Sequence, residues 1–513
     1  MANPMESSPW SVFPFDLTLV WPMRLTTNIS GSFDFPGFEK AIRIDGSWIE
    51  EDDLIRRNPP SDLDGYAHGE WNYFHPFIQR LLYRRPDKGG AFWIFRRSQV
   101  EVLKVRDGNW REDFLIREVL LYVLPSGLAV MKVELEATQA VTWQSAQDSL
   151  SYLRRLWAPH YYRPGENKAW VAGGVKGTVW IEPLQAEPGE QAAMTVAASK
   201  RPLTNSLDSQ IPRLLPHWED LLDPVVWCEP RTVGISAQPL GDSRMGAMLF
   251  LGTDRLMDVT EDDWFALSEA DHAGSMRYSP QFRDEALGKA CYDRWWQKWD
   301  RGRPLWTWAW NHRYLVGPLT FISAKQVPLE DLPPYLSNLR EKWRRNYFQL
   351  FLIANIQRHE LLILQDEVLK VTREGKLDQV NQISRKIAVF SATLWYREIT
   401  PQIQGQELFE RLQEQMRIPQ LFREVVEDKA HLTNWAREEW RDRVTRIAVF
   451  SAGLSLAAGI LGMNVIFRDD VINTITKIGW VKVVTPDLVL LTAVCILVTL
   501  GGAWAYTYIR KRS

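Results

Sequence analysis

The sequence predicts three parts in order: an α/β domain at the N-terminus, a long helical region, and two membrane-spanning helices at the C-terminus. Residues 1–330 alternate short apolar runs with turn signals, and from about residue 332 apolar residues recur at helical spacing among many charges. Two uncharged apolar runs, 447–467 and 488–509, close the chain. Each is roughly 20 residues long, enough at about 1.5 Å per residue to cross a hydrocarbon core of about 30 Å.

The composition argues against several classes of protein. The chain has 513 residues, a formal net charge of -2 and a mean hydropathy of -0.26. A nucleic-acid-binding protein usually shows a basic surplus, which is missing here. Cys228, Cys291 and Cys495 lie far apart, so they suggest neither a disulfide framework nor a metal site, as is typical of a reducing cytosol. The first residues lack the charge and apolar pattern of a cleaved signal peptide.

Short-range patterns predict several elements of the α/β domain. The runs 118–124 and 128–135 read as two strands, and the Pro-Ser-Gly tripeptide at 125–127 predicts a turn that joins them as a hairpin. An apolar run at 245–251 predicts a further strand. The segment 260–263, Thr-Glu-Asp-Asp, is typical of a helix N-terminus, where acidic side chains are favourable.

The helical region extends over 331–446. Helices are expected at 336–372 and 377–399, separated by Gly375, and a shorter one at 406–416. Pro419 is expected to begin, kink or end a helix, and the residues from there to Asn464 are compatible with one continuous helix. Roughly 45 residues would make this helix about 70 Å long.

Charges that flank the two apolar runs predict the orientation of the chain. Basic residues precede the first run and follow the second, whereas the basic residues of the connecting loop are balanced by acidic ones. The positive-inside rule therefore places both termini in the cytosol of a multi-pass protein of the plasma membrane or bacterial inner membrane. The flanking basic residues are Arg441, Arg443, Arg446, Arg510, Lys511 and Arg512.

One face of the first apolar run is small and partly hydroxylic. At 100° per residue, six residues fall on a stripe about 80° wide, while bulky residues occupy the rest of the circumference. The stripe is either packed tightly against a neighbouring helix or lines a pore in which several copies surround water. Its members are Val444, Ala448, Ser451, Ser455, Gly459 and Gly462.

The first apolar run ends near the tripeptide Gly462-Met463-Asn464. This tripeptide, the two C-terminal apolar runs, the basic tail and the large N-terminal region together resemble the CorA family of divalent-cation transporters. The resemblance implies a homopentamer in the lipid bilayer that conducts Mg²⁺, and often Co²⁺ or Ni²⁺, down its electrochemical gradient. It also implies an ion-selectivity mouth at the tripeptide, where Asn464 contacts the ion through its hydration water.

The resemblance divides the chain into six parts. Asp469 and Asp470 in the outer loop are expected to attract cations weakly, and Arg510, Lys511 and Arg512 to form a basic cytosolic ring. No catalytic residue, no cofactor besides the transported ion and no nucleic-acid partner is expected. The parts are 1–330, the cytosolic α/β domain; 331–446, the helical region and stalk; 447–467, the pore-lining transmembrane helix; 468–487, the external loop; 488–509, the second transmembrane helix; and 510–513, the basic tail.

The chain departs from the family near the tripeptide, and these departures leave two alternatives open. Leu461 stands where the family usually has Tyr, and the outer loop lacks the usual Met-Pro-Glu-Leu-like segment. A zinc transporter of the ZntB type is one alternative, although His68 and His75 match no standard zinc spacing. A non-conducting, membrane-anchored sensor or interaction protein with the same fold is the other. An enzyme is not expected, because no phosphate loop, nucleophile elbow or triad pattern is present.

Two acidic runs are candidates for regulatory Mg²⁺ sites, but charge runs are more often solvated faces. Neither run is favoured as a metal site. The first run comprises Glu50, Glu51, Asp52 and Asp53, and the second comprises Asp258, Glu261, Asp262 and Asp263.

Overall fold

A computed structural model describes most of the N-terminal two thirds of the chain and the helices that follow it. The described residues are 10–27, 33–43, 46–51, 70–98, 100–107, 110–156, 160–162, 169–171, 178–182, 214–227, 234–241, 244–270, 291–292, 312–328, 332–375 and 377–475.

Seventeen strands are present in the described residues. In chain order they are β1 (Ser11–Val12), β2 (Phe15–Thr26), β3 (Trp48–Glu50), β4 (Trp93–Arg97), β5 (Val102–Asp107), β6 (Trp110–Val123), β7 (Leu128–Ala137), β8 (Val141–Thr142), β9 (His160–Tyr162), β10 (Ala169–Val171), β11 (Thr178–Glu182), β12 (Val226–Trp227), β13 (Ser236–Pro239), β14 (Gly246–Thr253), β15 (Cys291–Tyr292), β16 (His312–Val316) and β17 (Thr320–Gln326).

The described helices fall into an N-terminal set between the strands and a C-terminal set after them. The first set is α1 (Phe35–Ile42), α2 (Pro76–Tyr83), α3 (Trp143–Tyr152), α4 (Pro216–Leu222) and α5 (Glu261–Glu269). The second is α6 (Tyr335–Lys342), a π-helical turn (Trp343–Tyr347), α7 (Phe348–Glu374), α8 (Leu377–Thr393), α9 (Ile403–Gln415) and α10 (Ile418–Ile475). Short 3-10 turns occur at Pro86–Lys88 and Leu256–Asp258.

Thirteen of the described strands form one mixed sheet. Its main order is β11-β5-β6-β7-β2-β14-β17-β16-β15, with β4 and β3 joined to β6, and β13 and β12 joined to β2. The pairs β14–β17 and β12–β13 are parallel and the other pairs in this sheet are antiparallel. The sequence-based prediction of a mixed α/β N-terminal region followed by a helical region is confirmed.

The hairpin predicted from the tripeptide at 125–127 is present. Strands β6 and β7 pair antiparallel, with Val123 opposite Ala129. Gly127 has a φ of 87°, a conformation that glycine adopts without steric cost. The apolar run at 245–251 likewise forms β14, whose residues are all buried.

Both faces of the sheet are covered at its centre, strand β2. One face contributes Leu17, Leu19 and Trp21 to the apolar core, which also holds Trp218 of α4 and Trp264 of α5. On the other face of β2, Asp16 meets arginines of α6 and the π-helical turn. Because successive side chains of a strand point to opposite faces, the sheet separates an apolar layer from a layer that contains buried charge.

The chain divides into two compact units. The first comprises residues 1–363 and 390–422, and it holds the sheet with its helices. The second comprises residues 364–389 and 423–513; its described part contains the end of α7, most of α8 and most of α10. The helix expected from Pro419 to Asn464 is present as part of α10, which has 58 residues.

The prediction of two membrane-spanning helices is wrong for the part of the chain that the structure describes. No helix there is both long enough and apolar enough to cross a bilayer. The second predicted span, 488–509, and the tail, 510–513, lie outside the described residues.

Gly252→Ala is expected to lower the free energy of unfolding by about 1–3 kcal/mol, because the added methyl group has no room. Its Cβ would lie 2.6 Å from the carbonyl oxygen of Phe13 and 2.7 Å from Cγ2 of Val327. Urea unfolding measures the change. Gly241→Ala is the matched control, since its Cβ would meet only Nε2 of His359, at 3.8 Å. Equal stability of the two variants would contradict the prediction.

Candidate functional site

The tripeptide Gly462-Met463-Asn464 lies inside helix α10. The helix continues past Asn464 to Ile475, so the chain does not leave the helix at the tripeptide. Asp469 and Asp470, placed in an external loop by the sequence, also lie on α10. Their role and that of Asn464 stay predictions, while Arg510, Lys511 and Arg512 lie outside the described residues.

Helix α10 carries exposed apolar side chains on all sides from residue 444 to residue 456, here called the apolar segment. The exposed fractions of its large apolar side chains range from 41% to 69%. At 100° per residue these side chains are spread around the helix rather than confined to one stripe. Contiguous exposed apolar surface of this kind marks a site that another surface covers. The side chains are Val444, Ile447, Val449, Phe450 and Leu456.

The small-residue stripe predicted from the sequence is exposed in the single chain. Val444, Ala448, Ser451, Ser455 and Gly459 are all solvent-accessible, and an added Cβ at Gly459 would meet nothing within 4 Å. The side of α10 that carries the stripe is therefore open along its described length. Whether these residues line a pore stays a prediction.

Both serine hydroxyls of the stripe donate hydrogen bonds to their own helix. Oγ of Ser451 donates to the carbonyl oxygen of Ala448, and Oγ of Ser455 donates to that of Ser451, each at 2.9 Å. A hydroxyl oxygen has two lone pairs in addition to its proton. With the proton directed at the helix, each hydroxyl presents acceptor lone pairs to whatever lies beside the stripe.

The acidic runs of the sequence serve structural purposes where they are described. Glu50 forms ion pairs with Arg43 and Arg85, and Glu51 forms one with Arg96. Helix α5 begins where the sequence predicted a helix N-terminus, and Thr260 and Asp263 form a capping box there. Among the described residues, no group of three or more His, Cys, Asp or Glu side chains is arranged to hold a metal ion. Asp52, Asp53 and His68 lie outside them.

A buried charge cluster in the first unit was not predicted from the sequence. Asp16 on β2 and Glu136 on β7 are direct neighbours in the sheet, and like charges in that position repel. Arginines from the adjoining helical segment compensate them. The charge cluster comprises Asp16, Lys132, Glu134, Glu136, Arg340 and Arg344.

Arg344 is the centre of the charge cluster. Its guanidinium nitrogens lie 3.0 Å from Oδ1 of Asp16, 3.0 Å from Oε1 of Glu134 and 3.1 Å from Oε2 of Glu136. Arg340 adds a bidentate contact to Asp16, with distances of 2.8 and 2.6 Å. Because each guanidinium presents several donors in a planar fork, the two arginines can contact the buried carboxylates of Asp16 and Glu134 and the partly buried carboxylate of Glu136.

The protonation states in the charge cluster follow from these contacts. Burial raises the pKa of Glu136, but hydrogen bonds from Arg117 and Arg340 outweigh it and bring that pKa to about 2. Burial lowers the pKa of Lys132, yet the neighbouring Glu118 and Glu134 raise it to a net value above the usual range. Both groups are therefore charged at neutral pH.

A polar cavity of about 220 Å³ adjoins the charge cluster. Charged side chains dominate its walls, and Tyr122, Phe348 and Gln349 complete them. Its basic residues are Arg96, Arg117, Lys132, Arg344 and Arg345, and its acidic residues are Glu70, Glu118, Glu134 and Glu341. The one sequence signal that points to this region is the alternation of charged and apolar residues along β7.

Comparisons with protein-family models, with curated proteins and with solved structures found no match for this chain.

Proposed function

We propose that the protein passes hydrated divalent cations, chiefly Mg²⁺, through a homo-oligomer at a plasma membrane or bacterial inner membrane. The observation that carries the proposal is the apolar segment of α10, which is exposed on all sides in one chain and bears the small-residue stripe on one of them. The resemblance to CorA transporters supports a pentamer with the ion mouth at Gly462-Met463-Asn464.

The chemistry of the stripe suits a cation that keeps its water. Mg²⁺ dehydrates reluctantly and prefers oxygen ligands in octahedral geometry. The hydroxyl oxygens of Ser451 and Ser455, with their protons bonded to the helix, present acceptors to the first-shell waters. In the proposal, the side-chain carbonyl of Asn464 does the same at the mouth.

The exposed apolar segment also supports the assembly of several copies. Small residues let helices approach closely, so α10 helices that meet through the stripe would surround a narrow path. Val444 would face this path at one end, where an apolar ring closes a pore by dewetting. The bulky residues Val449, Phe450 and Leu456 point away from the stripe and would contact the other chains.

Ion uptake tests the transport itself. The full chain is reconstituted in liposomes loaded with a Mg²⁺-sensitive dye, and uptake is driven by an inside-negative potential, with Zn²⁺ and Co²⁺ in parallel. Asn464→Ala is expected to slow Mg²⁺ uptake about tenfold, equivalent to a barrier raised by about 1.4 kcal/mol. Asn434→Ala, the same change at an exposed position earlier on α10, should leave uptake unchanged.

The outcomes of the uptake experiment separate the alternatives. Faster uptake of Zn²⁺ than of Mg²⁺ would indicate that Zn²⁺, not Mg²⁺, is the main transported ion. No uptake of any of the three ions by intact oligomers would overturn transport and favour the non-conducting sensor.

A matched pair of glycine variants tests assembly through the stripe. Gly459 lies on the stripe and Gly453 on the opposite side of α10, and an added Cβ at either position meets nothing within 4 Å in the single chain. Gly459→Leu is therefore expected to dissociate the oligomer or block uptake, whereas Gly453→Leu should do neither. Light scattering of the purified protein measures the oligomeric mass. Equal behaviour of the two variants would contradict assembly through this face.

A further inference from the structure

We propose that the polar cavity of the first unit binds a small phosphate-type anion that carries a hydroxyl donor, as hydrogen phosphate and hydroxylated phosphate esters do. The cavity lies between strands of the sheet and the segment that begins at Glu341, and all its lining residues belong to the first unit. The proposal rests on the hydrogen-bonding capacity that the cavity walls leave unused.

The unused capacity consists mainly of N–H donors. Among the described residues, Arg345 donates two hydrogen bonds, from Nη1 to Glu70 and from Nε to Glu341, and both are 3.4 Å long. Arg96 forms an ion pair through Nε with Glu51, at 3.2 Å, and within the described part of the chain its terminal nitrogens make no hydrogen bond. Guanidinium groups bind phosphate oxygens with two parallel hydrogen bonds. Two arginines on different elements therefore suit an anion with several acceptor oxygens.

The carboxylates of the cavity are already engaged. Glu134 contacts Lys132 at 2.7 Å and Arg344 at 3.0 Å. Glu70 accepts a hydrogen bond from the hydroxyl of Tyr83 at 2.8 Å and a longer one from Gln349. A cationic ligand would compete with these internal donors, whereas an anionic ligand would use the donors that remain.

Gln349 favours a ligand that carries a hydrogen-bond donor. Its side chain is 6% exposed, and its Oε1 has no hydrogen-bond partner among the described residues. A buried acceptor that lacks a partner costs free energy, so a ligand hydroxyl that reaches it is favoured over a ligand without one. Hydrogen phosphate has such a hydroxyl and sulfate, of similar shape and charge, does not.

Isothermal titration calorimetry of the full chain with inorganic phosphate, glycerol 3-phosphate and sulfate at constant ionic strength tests the proposal. Phosphate or its ester is expected to bind about tenfold or more tightly than sulfate. Tighter binding of inorganic phosphate would identify the free ion as the ligand. Tighter binding of glycerol 3-phosphate would identify a phosphate ester. The absence of binding by both, or equal affinity for phosphate and sulfate, would overturn the proposal.

Two variants locate the binding in the cavity. Arg345→Gln should weaken phosphate binding about tenfold or more, while Arg373→Gln, at an exposed position of α7, should not. Gln349→Met keeps the length of the side chain but removes the acceptor. It should therefore abolish the preference for phosphate over sulfate and retain sulfate binding. The proposal would be overturned if both variants kept the phosphate affinity of the parent and its preference for phosphate over sulfate. Any bound anion would then lie outside the cavity.

Discussion

Arg344→Met is expected to lower the free energy of unfolding of the first unit by about 3–5 kcal/mol, because it leaves buried carboxylates without their shared cation. Arg344 is the contact common to Asp16, Glu134 and Glu136, and its side chain is 8% exposed. Methionine has a similar volume, so the loss measures the charge rather than a cavity. Urea unfolding followed by tryptophan fluorescence gives the change.

A second substitution separates the ion network from simple packing. Adding Asp16→Leu to Arg344→Met removes one of the carboxylates that lost its contact with Arg344. The double variant should therefore have a higher free energy of unfolding than Arg344→Met alone. Arg397→Met, at an exposed position of the first unit, serves as the control and should change the free energy of unfolding by less than about 0.5 kcal/mol. A decrease in the free energy of unfolding of less than about 1 kcal/mol for Arg344→Met would contradict the prediction. It would show that water or a structural rearrangement stabilises the carboxylates in place of Arg344.

Acidification from pH 7 to pH 5 is expected to destabilise the first unit by up to about 6 kcal/mol through two buried histidines, His217 and His359, and the partly buried His312. Burial lowers the pKa of His217 to about 3 and that of His359 to about 4. Burial, with a smaller contribution from the charge of Lys325, lowers the pKa of His312 to about 3. All three residues belong to the first unit.

The sign follows from proton binding in the two states. Below the ordinary pKa of histidine, about 6.5, the unfolded chain binds protons that the folded chain cannot, so stability falls as the pH falls. The loss continues down to the folded pKa values of about 3 to 4. Between pH 7 and pH 5 each histidine contributes about 2 kcal/mol to it.

His217→Leu isolates one of the three contributions. Neither ring nitrogen of His217 has a hydrogen-bond partner among the described residues, so the substitution removes no polar contact within them. The difference in unfolding free energy between pH 7 and pH 5 should shrink by about 2 kcal/mol. Between pH 7 and pH 8 the variant and the parent should change alike. An unaltered pH dependence in the variant would contradict the expected effect of burial.

Elements with local signals were predictable from the sequence. The hairpin of β6 and β7 follows from a glycine that adopts a φ of 87° between two apolar runs. The start of α5 follows from a threonine and an aspartate three residues apart, which form a capping box. In both cases the residues that interact lie within a few positions of one another, so the local sequence is sufficient to predict the local structure.

The charge cluster and the cavity were not predictable in the same way. Asp16 and Arg344 are separated by 328 positions, and nothing local in the sequence pairs them. Alternation along β7 indicated one polar face, but a polar strand face is usually solvated. Only the packing of α6 and the π-helical turn against that face makes it buried and brings the arginines to it.

The sequence by itself determined the mixed α/β character of the N-terminal region, the helical region after it and the unbroken helix that begins near Pro419. These depend on periodicity and on turn residues, which act through local sterics and hydrogen bonds. The tertiary structure alone decided which polar residues are buried, where the cavity lies and that the apolar segment of α10 is exposed on all sides. It also corrected the expectation of membrane-spanning helices, since none of the helices in the described residues is both long enough and apolar enough to cross a bilayer. Burial depends on contacts between distant segments, and the free energy of each charge follows from that burial.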